Sequence, residues 1–286
     1  MIAFAVVAVL AAALALPAVR YLRRTPPPAP PETRVEINTP ITDSPSSFAL
    51  SPDGRQLVFR ASGDGASRLW LRPMTTTTAQ PLAGTEGATF PFWSPDSRSI
   101  GFFVRGQLTR FDLAGGSPQA LAAVTNRAGG AWTADGRIVF GSTNGGLQRV
   151  SATGGVSEAA TTLGAREINH RSPLMLPDGR RFLYYVQGAP DVAGICLGAL
   201  DGRAPTRLAP ADIGAVAYVP LAPGSTKAFR GGGSRRVEGS SEGGPRSTEA
   251  SGGGGWMLWV RAGTQTLVAQ RLDVEKGRAH GRAGGN

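Results

Sequence analysis

Cysteine, histidine and lysine are what this 286-residue chain has least of: one Cys, two His and two Lys. A lone Cys196 excludes an internal disulfide framework and any cysteine-based zinc site. His170 and His280 leave too little imidazole for a histidine metal cluster. Only Lys227 and Lys276 are lysines among thirty basic residues, so the formal charge of +10 is almost all arginine. Neither a phosphate-binding loop nor metal-ligand spacing can be read anywhere, so no cofactor and no metal are expected.

Against these shortages stand 40 Gly and 22 Pro, with 41% apolar residues. That glycine and proline content is too irregular for a helical bundle, while the apolar share is enough for a core. The balance describes a turn-rich, all-β protein. Its charge does not describe a nucleic-acid binder. Residues 1–34 carry four Arg and one Glu, and 225–286 carry ten basic and five acidic groups. The body between them is nearly neutral, with no basic stripe to track phosphates.

Ile2 to Val19 is an apolar run of eighteen residues, interrupted by Pro17. As a helix it reaches about 27 Å, close to the thickness of a hydrocarbon core. Arg20, Arg23 and Arg24 follow, with Tyr21 as an interfacial aromatic. Residues 1–24 therefore read as a transmembrane anchor with a basic flank. The competing reading is a cleaved signal peptide, with Ala13-Leu14-Ala15 as its cleavage site. No basic residue precedes the run, which favours the anchor. The flanking arginines alone would hold their side in the cytoplasm. Residues 25–34, with Thr25 to Glu32 reading TPPPAPPE, form a semi-rigid polyproline linker.

Beyond the linker the chain repeats itself. Ser51-Pro52-Asp53-Gly54, Ser94-Pro95-Asp96-Ser97, Thr133-Ala134-Asp135-Gly136 and Leu176-Pro177-Asp178-Gly179 each precede an arginine and an apolar run. The aspartates lie 43, 39 and 43 residues apart. Blades of a β-propeller, four strands each, have that period. An apolar strand ends before each turn: Phe48-Ala49-Leu50, Phe90 to Trp93, Ala131-Trp132, Leu174 to Leu176. Alternating third strands follow, such as Arg68 to Leu71 and Gln107 to Phe111. Short outer strands come after Gly-rich turns at Ala120-Leu121, Val156 and Thr206 to Leu208. Pro presets the turn's first corner, Asp accepts backbone hydrogen bonds, and Gly takes the left-handed corner. These aspartates are turn residues, not a calcium or catalytic ring.

The S-P-D-G-R turn before an L-V-F strand resembles TolB-like, WD-repeat-like β-propellers. The stretch His170 to Tyr185, HRSPLMLPDGRRFLYY, is especially similar to propellers joined to bacterial receptor-type serine/threonine kinases. In that family a cytoplasmic kinase domain precedes one membrane helix and the propeller follows it. The resemblance covers residues 1–221 and 255–276. It implies an extracytoplasmic propeller on a single-pass inner-membrane protein. The kinase motifs themselves are not in this chain: no Gly-rich loop with an alanine-lysine strand, no His-Arg-Asp loop, no Asp-Phe-Gly.

Residues 35–223 thus hold four clear blades and the start of a fifth at Ala215 to Val219. Residues 224–255 contain eleven Gly and read as a disordered insertion, or as a frame slip through GC-rich codons. Strand pattern resumes at 256–273, with Trp256 to Val260 and Thr266 to Asp273, as a partial blade. Residues 274–286 read as a disordered tail. The expected ring is incomplete, unless Arg34-Val35-Glu36-Ile37 supplies a closing strand. An open arc would expose blade edges through which copies pair.

Candidate chemistry is thin. Gly239-Ser240-Ser241-Glu242-Gly243 has the letters of a nucleophile elbow without its strand and helix. Glu167 and His170 could work as an acid–base pair but more simply bond one blade to the next. Cys196 lies on a strand and reads as buried and inert; Trp70, Trp93, Trp132, Trp256 and Trp259 read as packing. No catalytic residue is assigned. The function expected is a non-catalytic, membrane-anchored sensor or scaffold that binds a protein or small molecule on the propeller face. The alternatives are an accessory propeller of a hydrolase or peptidase system, and a truncated or frameshifted kinase fragment.

Overall fold

The computed structural model describes residues 39–280 except 45, 64, 126–128, 212–215, 222–253 and 261–266. The expected anchor at 2–19, the linker and the elbow at 239–243 lie outside them. Among the described residues no helix is long and apolar enough to cross a membrane.

Among the described residues twenty strands form five four-stranded antiparallel sheets, each built from consecutive strands. Blade one comprises β1 (Phe48–Leu50), β2 (Gln56–Ala61), β3 (Arg68–Pro73) and β4 (Gln80–Pro81). Blade two comprises β5 (Thr89–Trp93), β6 (Ser99–Val104), β7 (Gln107–Asp112) and β8 (Gln119–Ala123). Blade three comprises β9 (Gly130–Trp132), β10 (Arg137–Phe140), β11 (Gln148–Ser151) and β12 (Glu158–Ala159). Blade four comprises β13 (Glu167–Met175), β14 (Arg181–Gly188), β15 (Gly194–Ala199) and β16 (Thr206–Ala209). Blade five comprises β17 (Ala217–Pro220), β18 (Gly254–Val260), β19 (Leu267–Asp273) and β20 (Arg278–His280).

Blade five is therefore not damaged, and two expectations are corrected. β18 starts at Gly254, inside the stretch read as insertion, and β20 lies in the stretch read as a disordered tail. Gly255 has a packing reason. A Cβ there would sit 2.3 Å from the Tyr218 ring of the paired strand β17. β20 is three residues long and rests on its pairing with β19, Arg271 opposite His280. The sheet needs no strand from 34–37 to reach four. The outer strand of blade three is also shifted: Val156 is exposed in a loop, and Glu158–Ala159 form the strand.

Period-two alternation sends opposite faces of each blade into different seams. Ile100 and Phe102 pack with Val58 and Leu69 of blade one, while Phe103 packs with Trp132 and Phe140 of blade three. Phe182, Tyr184 and Val186 face Val139 and Leu147, while Leu183 and Tyr185 join Met257, Trp259 and Leu272 of blade five. Four seams thus have their own core. No core cluster among the described residues spans blades five and one. Phe48 and Leu50 are exposed on either side of Ala49, which packs towards blade two.

The turn aspartates do what the sequence requires of them. Ser51 Oγ donates to Asp53 Oδ1 at 2.5 Å and accepts from Gln56 N, and Arg55 N donates to the same carboxylate. Ser94, Asp96 and Arg98 repeat the arrangement; in the third turn Thr133 Oγ1 donates to Asp135, while Arg137 N donates to Thr133 Oγ1. The fourth turn position is left-handed throughout: Gly54, Ser97, Gly136 and Gly179 have φ of 71°, 60°, 78° and 65°. The Ser94 hydroxyl holds the Asp96 carboxyl below its ordinary 3.8, and the Ser51 hydroxyl does the same for Asp53. Burial pushes Asp178 upward, but the Arg181 and Arg180 amides outweigh it and leave its pKa lowered.

A lowered carboxylate pKa stabilises the fold above the unfolded value and loses that contribution as pH falls through the folded value. The melting temperature should therefore be insensitive to these groups from neutrality to about pH 4 and decline below it. Asp96→Asn should lower stability at pH 7 and flatten the acid limb; a pH series of thermal melts checks both.

Candidate functional site

The repeat contains a second regularity, six residues before each turn aspartate. In blades two, three and four that position is Phe90, Gly129 and Ser172, with φ of 49°, 82° and 53°. Each is followed by a proline or glycine: Pro91, Gly130, Pro173. Ladder register shifts at the same place, between Thr89 and Phe92 in β5 and between Arg171 and Leu174 in β13. Left-handed φ in a bulky side chain such as Phe90 is a genuine outlier, costing about 1–3 kcal/mol. The bulges brace each other. Phe90 N donates to Ser47 Oγ at 3.2 Å, and a Cβ on Gly129 would lie 3.2 Å from the Ser172 Cα.

These positions wall one cavity on the propeller axis. It has a volume of about 230 Å³ and takes residues from the inner-strand side of all five blades, among them Phe48, Phe90, Pro91, Pro173, Leu174 and Val216. Among the described residues its wall contains no charged side chain. Phe48 is 58% exposed and Phe90 47%, so two aromatic rings stand in solvent at a concave apolar site. Bulges and strained positions concentrate where a fold aims side chains at a ligand. Neither ring was expected as a site residue; aligning the repeats on their aspartates would have set Phe90-Pro91, Gly129-Gly130 and Ser172-Pro173 in one column.

The residues singled out from sequence fall elsewhere. His170 is 1% exposed. Its Nδ1 lies 2.7 Å from Thr161 Oγ1 and its Nε2 3.0 Å from Glu167 Oε2. Leu147 N also donates to Thr161 Oγ1, and Gly164 N to Glu167 Oε2. Thr161 and Leu147 belong to blade three, so this chain of bonds ties β13 to its neighbour across the seam. The acid–base pair is spatially real, but its polar atoms are already committed to one another. His280 falls on β20.

Four of the five tryptophans are accounted for by packing or a backbone bond. Trp93 Nε1 donates to Ala49 O of blade one at 2.9 Å, Trp70 Nε1 to Ala61 O and Trp259 Nε1 to Pro210 O. Trp132 meets Phe92 edge-on and lies under the Arg110 guanidinium, 5.6 Å from the ring centre. Cys196 is 6% exposed in the blade three–four core. Burial, reinforced by the Glu167 charge, pushes its thiol up to about 12. A thiol-reactive disulfide reagent at pH 8 should leave the native chain unmodified and label one site per chain once guanidinium unfolds it.

Comparison with solved structures places this architecture. A TolB from Acinetobacter baumannii matches with a TM-score of 0.56 at 13% identity, over 80% of this chain and 51% of that one. The fold is that of a TolB-like β-propeller. A structure assigned to TolB from Agrobacterium tumefaciens matches at 22% identity and TM-score 0.50, over 56% of this chain and 63% of that one. A GH74 enzyme from Niastella koreensis matches at 15% identity and TM-score 0.53, over 82% and 30%. The chain thus spans less than two thirds of either TolB structure. No family model and no curated protein matches it. At these identities the TolB-like likeness is one of fold, shared with an enzyme as well as with the TolB proteins.

Proposed function

We propose that this propeller is a non-catalytic binding module that takes a protein segment or small apolar ligand at its axial cavity. Residues 2–19 tether it to the inner membrane, the propeller lies on the extracytoplasmic side, and it acts as sensor or scaffold for a serine/threonine-kinase receptor. The observation that carries the binding reading is the pair of exposed rings, Phe48 and Phe90, over a cavity whose described wall residues carry no charge and include left-handed bulges. Exposed aromatics at the centre of a concave site are what binding hot spots are made of. The kinase and membrane parts of the reading rest on the apolar run, the proline linker and the His170 to Tyr185 resemblance.

The test uses the full chain in detergent micelles with N-acetyl-phenylalanine amide as an uncharged apolar probe. Titration should give saturable binding that Phe90→Ala weakens about tenfold or more, in line with loss of a hot-spot aromatic. Equal binding by wild type and variant would remove the axial site. Transfer of γ-phosphate from ATP, or turnover of a peptide substrate, by the purified chain would overturn the non-catalytic reading. Retention in the membrane pellet after alkaline wash, lost on deleting 2–19, tests the tether.

A further inference from the structure

Among the described residues the cavity wall is neutral, and a cation adjoins it in sequence. Of the described residues adjoining the wall in sequence, Arg171, next to Ser172 on β13, is the one with a charge. Its guanidinium is half-buried and fixed from one side. Nε donates to Asn169 Oδ1 at 3.0 Å, and Nη2 donates to Gln187 Oε1. Those amides are themselves anchored. Asn169 is 2% exposed, and its Nδ2 donates to Thr143 O and to Gln187 Oε1, both at 2.9 Å.

Two features distinguish this arginine from a structural ion pair. Its partners are neutral, and no carboxylate among the described residues pairs with it, whereas Arg60, Arg110, Arg149, Arg166 and Arg181 each have one. Removing a charge from water without a counter-charge is unfavourable, so an isolated, half-buried guanidinium is a standing cost to the fold. Of its five N–H donors, two are used in orienting it. Three remain, on a planar group already held in place, so little side-chain freedom is lost when an anion binds.

We propose that Arg171 is the anion anchor of the axial site, receiving a carboxylate of a ligand whose apolar part enters the cavity between Phe48 and Phe90. This rests on the axial-cavity reading above and adds the ligand's class: an apolar carboxylate, either free or as the C-terminal end or acidic side chain of a peptide.

The experiment titrates the full chain in micelles with N-acetyl-phenylalanine and with its amide, which differ only in the carboxylate. Wild type should prefer the acid about tenfold or more at low ionic strength, and salt should erode the preference. Arg171→Gln should abolish the preference while still binding the amide. Arg171→Lys, which keeps the charge without the fork, should retain part of it. Melting temperature controls for folding, and the amide control reports directly on the cavity. N-acetyl-Phe-Asp-amide, with its acid on a peptide side chain, separates the two sources: tighter binding than the free acid assigns a peptide, weaker binding a small molecule. Equal affinity for acid and amide in wild type, or a preference that survives in Arg171→Gln, overturns the anchor and leaves the cavity standing. Failure of both probes to bind wild type overturns the cavity reading and the anchor with it.

Discussion

Phe92→Ala should lower stability by about 3–5 kcal/mol, and Gly101→Ala by about 3 kcal/mol, yet the second change should be almost silent in the background of the first. The Phe92 ring is wedged between two glycines. A Cβ added at Gly101 would sit 2.3 Å from it, and one at Gly130 2.6 Å. Neither glycine has a left-handed backbone, so each is glycine because the ring occupies the space. Phe92 also packs on Phe103 at 6.1 Å and on Trp132 at 6.5 Å between ring centres, joining blades two and three. Removing the ring leaves a cavity that the Gly101 methyl can enter, so overpacking relief converts a clash into filling. Thermal melts of the wild type, both single variants and the double variant close the cycle. Additive losses would mean that the glycines are there for backbone reasons and that the wedge is not what joins the blades.

The wedge also explains what could and could not be read from sequence. The Asp53, Asp96, Asp135 and Asp178 turns were legible because their chemistry is local: a hydroxyl two residues before Asp53, Asp96 and Asp135, an arginine amide two residues after Asp53, Asp96 and Asp178, and a left-handed residue directly after each aspartate. The blade period followed from their spacing. Phe92 reads as an apolar strand residue, but its partners Gly101 and Gly130 are a strand and a blade away, and a glycine in a strand looks the same whether it bends the chain or makes room. The left-handed bulges at Phe90 and Ser172 are marked in the sequence only by the proline that follows each in the aligned repeats. Nothing in either side chain favours positive φ, so the residue types alone do not announce the bulge. Arg171 carries no mark in the sequence that sets it apart from the other arginines; Asn169 and Gln187 hold it only in the fold. At the Gly-rich end, Gly254 and Gly255 share the composition of the insertion and lack its role, because Tyr218 needs the space above Gly255.

Leu272→Ala, at the other end of the chain, should lower a single cooperative transition by about 2–5 kcal/mol, rather than melt a separate unit. For a domain of this size that is a fall of about 4–20 °C. Leu272 is fully buried in the core shared by blades four and five, with Leu183, Ile195, Met257 and Trp259. The same seam carries polar links: the Arg181 guanidinium donates to Val274 O, and Trp259 Nε1 donates to Pro210 O at 3.3 Å. A fifth blade made of misread sequence would have no reason to supply complementary apolar faces to blade four, nor a glycine where Tyr218 lies. If calorimetry on Leu272→Ala shows the parent transition unmoved, with a small early step split from it, blade five is an appendage. The axial cavity, to which Val216 contributes, would then be walled by four blades that hold together without it. A shift of the whole transition instead makes the fifth blade structural, and with it the ring that brings Phe48, Phe90 and Ser172 to one cavity.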